Sequence, residues 1–340
     1  MSKKTTGIHH ITAIVGHPQE NIDFYAGVLG LRLVKQTVNF DDPGTYHLYF
    51  GNEGGKPGSI ITFFPWAGAR QGVIGDGQVG VTSYVVPKGS FEFWKKRLEK
   101  FTVSYTVTER FGEKYLNFDD PHGLHVEIVE REEGELNGWT FGEVTPEVAI
   151  KGFGGATLLS SQPNNTAELL EKVMGLEVVG KEGDFIRFRS TADIGNIIDL
   201  KISSTGRGEM GVGTVHHIAW RAIDNQDQLD WQKYVADNGY GVTPVRDRNY
   251  FNAIYFREHG EILFEIATDP PGFAHDESHD TMGEKLMLPE QYEQYRAQLE
   301  RSLIPIKVDN WINISQQKLR EIQVKNAIEF NEGNDDFASH

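Results

Sequence analysis

The heptapeptide GIHHITA at residues 7–13 has a near copy, TVHHIAW, at residues 214–220. Each sets two adjacent histidines inside an apolar, β-branched run of the kind that forms a buried strand. Imidazoles in such a place act as acid–base groups or metal ligands, although a lone buried histidine is more often a satisfied core residue. Two pairs at matching places argue for a repeated unit. A third run, ILFEIA at residues 262–267, carries Glu265 where a hydrophobe is expected. A buried carboxylate costs several kcal/mol unless it is paired or bound to a cation, so Glu265 needs an arginine or a metal ion. Two imidazoles and a carboxylate are a metal set. Side chains alternate along a strand, so one histidine of each pair is expected to face the site and the other to face away. The spacing does not select which.

The elements that must position these residues recur in one order. Residues 7–66 read as strand, helix (Gln19 to Leu29, ending at Gly30) and three strands, with DDPG at 41–44 as a turn. Residues 79–130 repeat that order around the helix SFEFWKKRLEKF, with DPHG at 120–123 as the last turn. Residues 152–203 give a third copy, whose helix TAELLEKVM ends at Gly175. Residues 214–267 give a fourth, with a helix from about Gln226 to Asp237. The acidic, Gly- and Pro-containing segment 131–148 reads as a linker. This predicts an α+β fold of four βαβββ modules forming two cupped mixed β-sheets with helices outside. The expected divisions are an N-terminal domain, 1–145 (modules 1 and 2), a C-terminal domain, 146–310 (modules 3 and 4), and a polar tail, 311–340, partly disordered or packed on a neighbour. Beyond Pro270, a loop carrying His275 and His279 is expected over the cup, followed by a closing helix in EQYEQYRAQLERSLIPI.

Composition narrows the function. The 340 residues carry a formal net charge of −16, which disfavours nucleic acid and anionic membranes as partners. There are no cysteines, so disulfides, thiolate ligands and a cysteine nucleophile are excluded, leaving His, Asp and Glu for iron, manganese or zinc. The opening MSKKTTGIHH lacks an apolar stretch and a cleavage site, so a cytoplasmic location is expected.

The fourfold βαβββ pattern with GIHHIT, VHHIAW, FEIA and the following DPPGF resembles the vicinal oxygen chelate superfamily, which includes glyoxalase I, fosfomycin-resistance proteins and extradiol dioxygenases. Within it the chain is most similar to the hydroquinone ring-cleaving dioxygenases, over residues 7 to 310. That resemblance implies His10, His217 and Glu265 as metal ligands. It places His9, Thr12, His216, Arg248 and Tyr255 around the ion. It further implies Fe(II), with Mn(II) accepted by the same ligands, and a small aromatic substrate and O2 as reaction partners. Homo-oligomerisation is left open.

The residues set limits on this expectation. Arg248 and Tyr255 fall in module 4, where they can hold an oxyanion, and His9 or His216 can move protons or support the ligands. His47 shares a strand face with Tyr49 and is a candidate for the pocket wall. Glu127 in module 2 matches Glu265 without partner histidines and reads as a relic or as a salt-bridged residue, while module 1 has Phe63 at the matching place. If His10 and Glu265 hold one ion, modules 1 and 4 must share one cup and modules 2 and 3 the other. A zinc, nickel or manganese isomerase or thiol transferase of glyoxalase type, and a drug-binding member of the same fold, are the competing readings.

Overall fold

Four βαβββ modules follow one another along the chain in a computed structural model that describes residues 3–308. Module 1 comprises β1 (Ile8–Val15), α1 (Pro18–Ile22), β2 (Arg32–Val38), β3 (Tyr46–Gly51) and β4 (Ile60–Pro65). Module 2 comprises β5 (Gln78–Val86), α2 (Phe91–Lys100), β6 (Thr106–Arg110), β7 (Glu113–Asp119) and β8 (His125–Glu130). Module 3 has β9 (Gly152–Leu159), α3 (Pro163–Glu168), β10 (Glu177–Glu182), β11 (Phe185–Arg189) and β12 (Ile197–Lys201). Module 4 has β13 (Thr214–Ala222), α4 (Asn225–Asp237), a two-residue β14 (Arg246–Asp247), β15 (Phe251–Arg257) and β16 (Leu263–Pro271).

Local chemistry sets the helix boundaries. Pro18 opens α1, and the His17 ring accepts from the Gln19 amide as its cap. The helix then widens into a π-helical turn, Asp23–Val28, and Gly30 ends it at φ 69°. Ile22, Tyr25 and Leu29 are fully buried, and Asn21, Asp23, Phe24, Ala26 and Val28 are buried with them, so the segment is enclosed on all sides.

The modules pair crosswise. One eight-stranded sheet runs β14-β15-β16-β13-β1-β4-β3-β2 and the other β10-β11-β12-β9-β5-β8-β7-β6. At the centre of each, the first strands of two modules lie antiparallel, β1 on β13 and β5 on β9, and each first strand runs parallel to the last strand of its own module. Modules 1 and 4 thus share one cup and modules 2 and 3 the other, so each sheet draws on both residues 1–145 and residues 146–310. Trp94 of α2 and Trp231 of α4 are buried in the core on the helical side.

Two expectations need correction. Segment 131–148 is no bare linker. Asn137 is buried, donates to the Ile150 carbonyl and accepts from the Glu53 amide, and the buried Lys151 ammonium is ringed by the carbonyls of Arg131, Glu132 and Glu133. A polar strand of chain is held there because each inward-facing group finds a partner. The closing helix is broken into α5 (Glu290–Glu293) and α6 (Arg296–Ser302). Leu299 and Leu303 enter the core, and Tyr292 donates to the Phe40 carbonyl. The loop after Pro271 lies on the β2 side of the first sheet, tied there by the buried Lys35 ammonium, which reaches the carboxylates of Asp276 and Glu277. The expectation for residues 311–340 lies outside the described residues. No helix among the described residues is long and apolar enough to cross a membrane.

Candidate metal centre and its cavity

The central β1–β13 pair is irregular at the histidines themselves. Its register passes from Ile8 opposite Trp220 to His10 opposite Ala219, leaving His9 as an extra residue on β1. It then passes from Thr12 opposite His217 to Ala13 opposite Val215, leaving His216 as an extra residue on β13. Each pair therefore sits on a β-bulge, which suspends strict alternation. The expectation that one histidine of each pair faces away is overturned. His9 and His10 meet Nδ1 to Nδ1 at 3.0 Å, and His216 and His217 meet likewise at 2.8 Å.

These contacts fix the ring orientations. The Nε2 of His9 lies 3.1 Å from the Thr268 carbonyl, which can only accept, so His9 carries its proton on Nε2. Burial, then the neighbouring His10, holds His9 far below the ordinary imidazole range, so its Nδ1 is bare and accepts from His10. His10 is left with a free lone pair on Nε2. That atom stands 3.2 Å from Nε2 of His217 and 3.5 Å from Glu265 Oε2, and His217 Nε2 is 2.8 Å from the same oxygen.

Glu265 is fully buried, and neither of its oxygens receives a hydrogen bond of acceptable geometry. Burial lowers His217 below the usual imidazole range, with Glu265 opposing. Burial also acts to raise the Glu265 carboxyl, but the facing His10 and His217 imidazoles, His10 first, reverse this and hold it well below the carboxylate range. An ionised carboxylate and converging imidazole lone pairs, all out of water, call for a cation between them. Ligand atoms of His10, His217 and Glu265 lie within 4.8 Å of one another, a spread that fits one divalent ion.

Register explains why, among the described residues, this spot alone has the set. Glu265 of β16 is opposite Ala219, two residues after His217. The same step from His10 leads to Thr12, opposite Thr62 of β4. Thr62, not Phe63, is therefore the module 1 counterpart of Glu265, and Phe63 instead packs 4.4 Å from the Tyr25 ring in the core. In the second cup the counterparts are Glu127, opposite Ser83, and Asp199, opposite Thr157. Val81 and Gly155 occupy the histidine positions there, and the Arg110 guanidinium bridges the two acids, at 2.7 Å from each. Glu127 is salt-bridged, as expected from sequence. The second cup satisfies its buried acids with a guanidinium where the first offers imidazoles.

A cavity of about 410 Å³ opens from the three converging residues. Phe64, Trp66 and Phe251 supply flat apolar wall, and the Phe251 ring lies 4.9 Å from that of His10. Arg248 Nε donates to the Tyr255 hydroxyl at 3.2 Å, so the Tyr255 proton is free for another acceptor. Burial, then the Glu265 charge, raises Tyr255 well above the ordinary phenol range, so it stays protonated. Asp41, from the β2–β3 turn, reaches Arg248 across the mouth at 3.1 Å. His216, pushed by burial down to about 3, remains a neutral ring on the cavity wall. Thr12 and His47 line the cavity too. His275 and His279 stand elsewhere, the first beside Tyr250 and the second half exposed near Gly54. Sequence reasoning missed Thr62, Asp41 and the aromatic wall, since none sits in a distinctive local pattern.

A family model described as the Glyoxalase/Bleomycin resistance protein/Dioxygenase superfamily matches residues 7–128 and 152–274. The chain belongs to this superfamily. Each matched span holds two consecutive modules, 1 and 2 or 3 and 4, and within the superfamily the chain groups with proteins named as ring-cleaving dioxygenases. It is 82% identical over 308 residues to a Bacillus subtilis (strain 168) protein named "Putative ring-cleaving dioxygenase MhqO", covering 91% of this chain and 99% of that one. It is 34% identical over 313 residues to a chlorohydroquinone/hydroquinone 1,2-dioxygenase of Sphingobium indicum, covering 89% and 97%. Glyoxalase I of Zea mays superposes with a TM-score of 0.58 at 12% identity over 77% of this chain and 92% of that one, a likeness of fold alone.

Proposed function

We propose that this chain is a metal-dependent dioxygenase that opens the ring of a hydroquinone-type aromatic. His10, His217 and Glu265 would hold the metal, and His9, Thr12, His216, Arg248 and Tyr255 serve the reaction around it. The carrying observation is the buried Glu265 carboxylate without a hydrogen bond, facing two imidazole Nε2 atoms. Relatives named as ring-cleaving dioxygenases support the same reading.

His10, His217 and Glu265 would hold the ion, and Fe(II) there would supply the redox couple that lets dioxygen react with an electron-rich ring. The chain's own residues do the rest. The aromatic wall clamps a flat ring, and the 410 Å³ volume suits a single substituted one. Tyr255, held protonated and oriented by Arg248, donates to an oxygen of the substrate, while the Arg248 charge favours that oxygen as an anion. His9 and His216 keep the ligand rings in the Nε2-binding orientation through their Nδ1 contacts. The glyoxalase-type alternative calls for a second carboxylate at the ion, and Thr62 stands at that place.

Metal-free protein reconstituted anaerobically with Fe(II) is expected to consume oxygen with hydroquinone, to do so poorly with catechol, and to leave the methylglyoxal–glutathione adduct unchanged. Mn(II) in parallel decides between the two ions. Isomerisation of the adduct without oxygen uptake would overturn the assignment.

A further inference from the structure

A second set of polar side chains reaches the cavity from module 1, in line with the metal-binding residues but on none of their strands except β1. Tyr49 OH lies 2.8 Å from His47 Nδ1, His47 Nε2 lies 2.8 Å from Thr62 Oγ1, and Thr62 Oγ1 lies 2.9 Å from Thr12 Oγ1. Thr12, Thr62 and Tyr49 are buried. The strand register keeps the chain in order: His217 is opposite Thr12, Thr12 opposite Thr62, and Thr62 opposite Tyr49. Thr62 stands at the pseudo-symmetric counterpart of Glu265, so the fold has placed a hydroxyl relay where its other half places the carboxylate.

The direction of these hydrogen bonds is constrained. Among the described residues, the Tyr49 hydroxyl has one acceptor, His47 Nδ1. Burial raises Tyr49 well above the ordinary phenol range, so it keeps its proton and has that proton to place. Burial, then the nearby His10 and His217, lowers His47 well below its usual value, so its ring is neutral and carries one proton. With Nδ1 accepting, that proton is on Nε2 and is given to Thr62. Thr62 in turn gives its proton to Thr12. The Thr12 hydroxyl, at the end of the line and on the cavity wall, is left with a proton and no acceptor among the described residues.

We propose that Tyr49, His47 and Thr62 are positioning residues that lock the Thr12 hydroxyl as a donor into the cavity, selecting a substrate that presents an anionic oxygen, a ring phenolate, at that point. This rests on the ring-cleavage reading for the identity of the substrate, but the hydrogen-bond chain is a property of the protein alone. A donor aligned before the substrate arrives needs no reorganisation when charge develops on the oxygen, and bonds in series strengthen one another in a low-dielectric interior. A neutral relay also leaves the net charge at the neighbouring metal ligands unchanged, which a lysine or arginine in the same place would alter.

The test compares Thr62→Val, which keeps the shape and removes the hydroxyl, with Thr62→Ser, which keeps the hydroxyl, and adds Tyr49→Phe as a variant that deletes a single oxygen. In metal-free protein, 15N shifts of the His47 ring are expected to report one neutral tautomer, protonated at Nε2, in wild type and Thr62→Ser, and a mixture in Thr62→Val and Tyr49→Phe. With Fe(II) and hydroquinone, Thr62→Val is expected to lose about 10- to 100-fold in kcat/KM at unchanged metal affinity, and Thr62→Ser to stay within about 3-fold of wild type. Equal losses in Thr62→Val and Thr62→Ser, or an unshifted His47 tautomer in Thr62→Val and Tyr49→Phe, would overturn the proposal. So would a Thr62→Val enzyme as fast as an active wild type, which leaves the ring-cleavage reading intact. If wild type itself consumes no oxygen with any hydroquinone, that reading fails, and the tautomer measurement still decides the relay.

Discussion

Glu265 carries two opposed demands. Without a cation its charge is buried beside the His10 and His217 rings, and with one it is a ligand. Glu265→Gln separates the two, because the amide keeps the shape and drops the charge. Metal affinity is expected to fall by at least about 100-fold, more than loss of a supporting contact costs. The metal-free variant is expected to be less stable than metal-free wild type, since the facing imidazoles that hold the carboxyl below its usual range favour a charge that the amide lacks. Calorimetry on both proteins after chelation checks the sign, and a metal-free variant more stable than wild type would mean that the Glu265 charge goes uncompensated until an ion is bound. The type and neighbourhood of this residue were legible in sequence, because an acid inside ILFEIA breaks an apolar strand. The orientation of its partners was not: HH inside a strand reads as in-and-out, and the bulges that turn His9 onto His10 and His216 onto His217 arise from pairing between opposite ends of the chain. Thr62 carries no signature, since threonine is an ordinary strand residue and its neighbour Thr12 is fifty positions away.

At the scale of elements, the two cups show one scaffold resolving buried acids in different ways. The order strand, helix, three strands was readable four times over, because apolar periodicity and turn residues are local. The filling of the second cup was not, since Arg110, Arg187, Glu127 and Asp199 come from four strands that meet only in the folded sheet. At its rim Glu113, at the start of β7, accepts from Arg131 at 2.6 Å, from Arg187 at 2.6 Å and from the Tyr115 hydroxyl at 2.8 Å. Burial alone acts to raise its carboxyl, but the Arg131 hydrogen bond and charge, with Tyr115 and Arg187, bring it down to about 2. Its unfolded value is near 4.3, so the folded form binds its proton more weakly and gains stability wherever the carboxylate is ionised. That stability is fully present above about pH 5 and is lost as the pH falls through about 2. Urea unfolding of wild type between pH 5.5 and 3 is expected to show stability falling by up to about 1.4 kcal/mol per pH unit from this group. Glu113→Gln is expected to be less stable at pH 7 and to show a flatter slope over that window. Parallel slopes for the two proteins would remove Glu113 from the acid response.

At the scale of the whole molecule, the crosswise pairing makes the chain's two halves depend on each other. The sequence alone divides most naturally near residue 145, and its repeats suggest that 1–145 and 146–310 are separate domains. The sheet order argues for mutual completion: β1 has β13 as its central neighbour and β5 has β9, so separating the halves strips one edge from all four first strands at once. These strands are buried along most of their length, with Ile8, Ile11 and Ala13 of β1 and Ile218 and Ala219 of β13 all fully enclosed. A half left alone would expose those apolar edges, which are templates for aggregation or for pairing with another copy. The metal set is divided in the same way, with His10 in the first half and His217 and Glu265 in the second. We therefore expect residues 1–145 and 146–340, expressed separately, to be insoluble or self-associated and to bind Fe(II) and Mn(II) weakly. Co-expressed, they are expected to assemble one to one, because the β1–β13 and β5–β9 pairs do not need a covalent connection to form. Recovery of metal affinity and of a single cooperative melt in the co-expressed complex is the measurement. A monomeric, folded 146–340 fragment that binds metal as tightly as the intact chain would show that His10 is dispensable and that the ion belongs to module 4 alone.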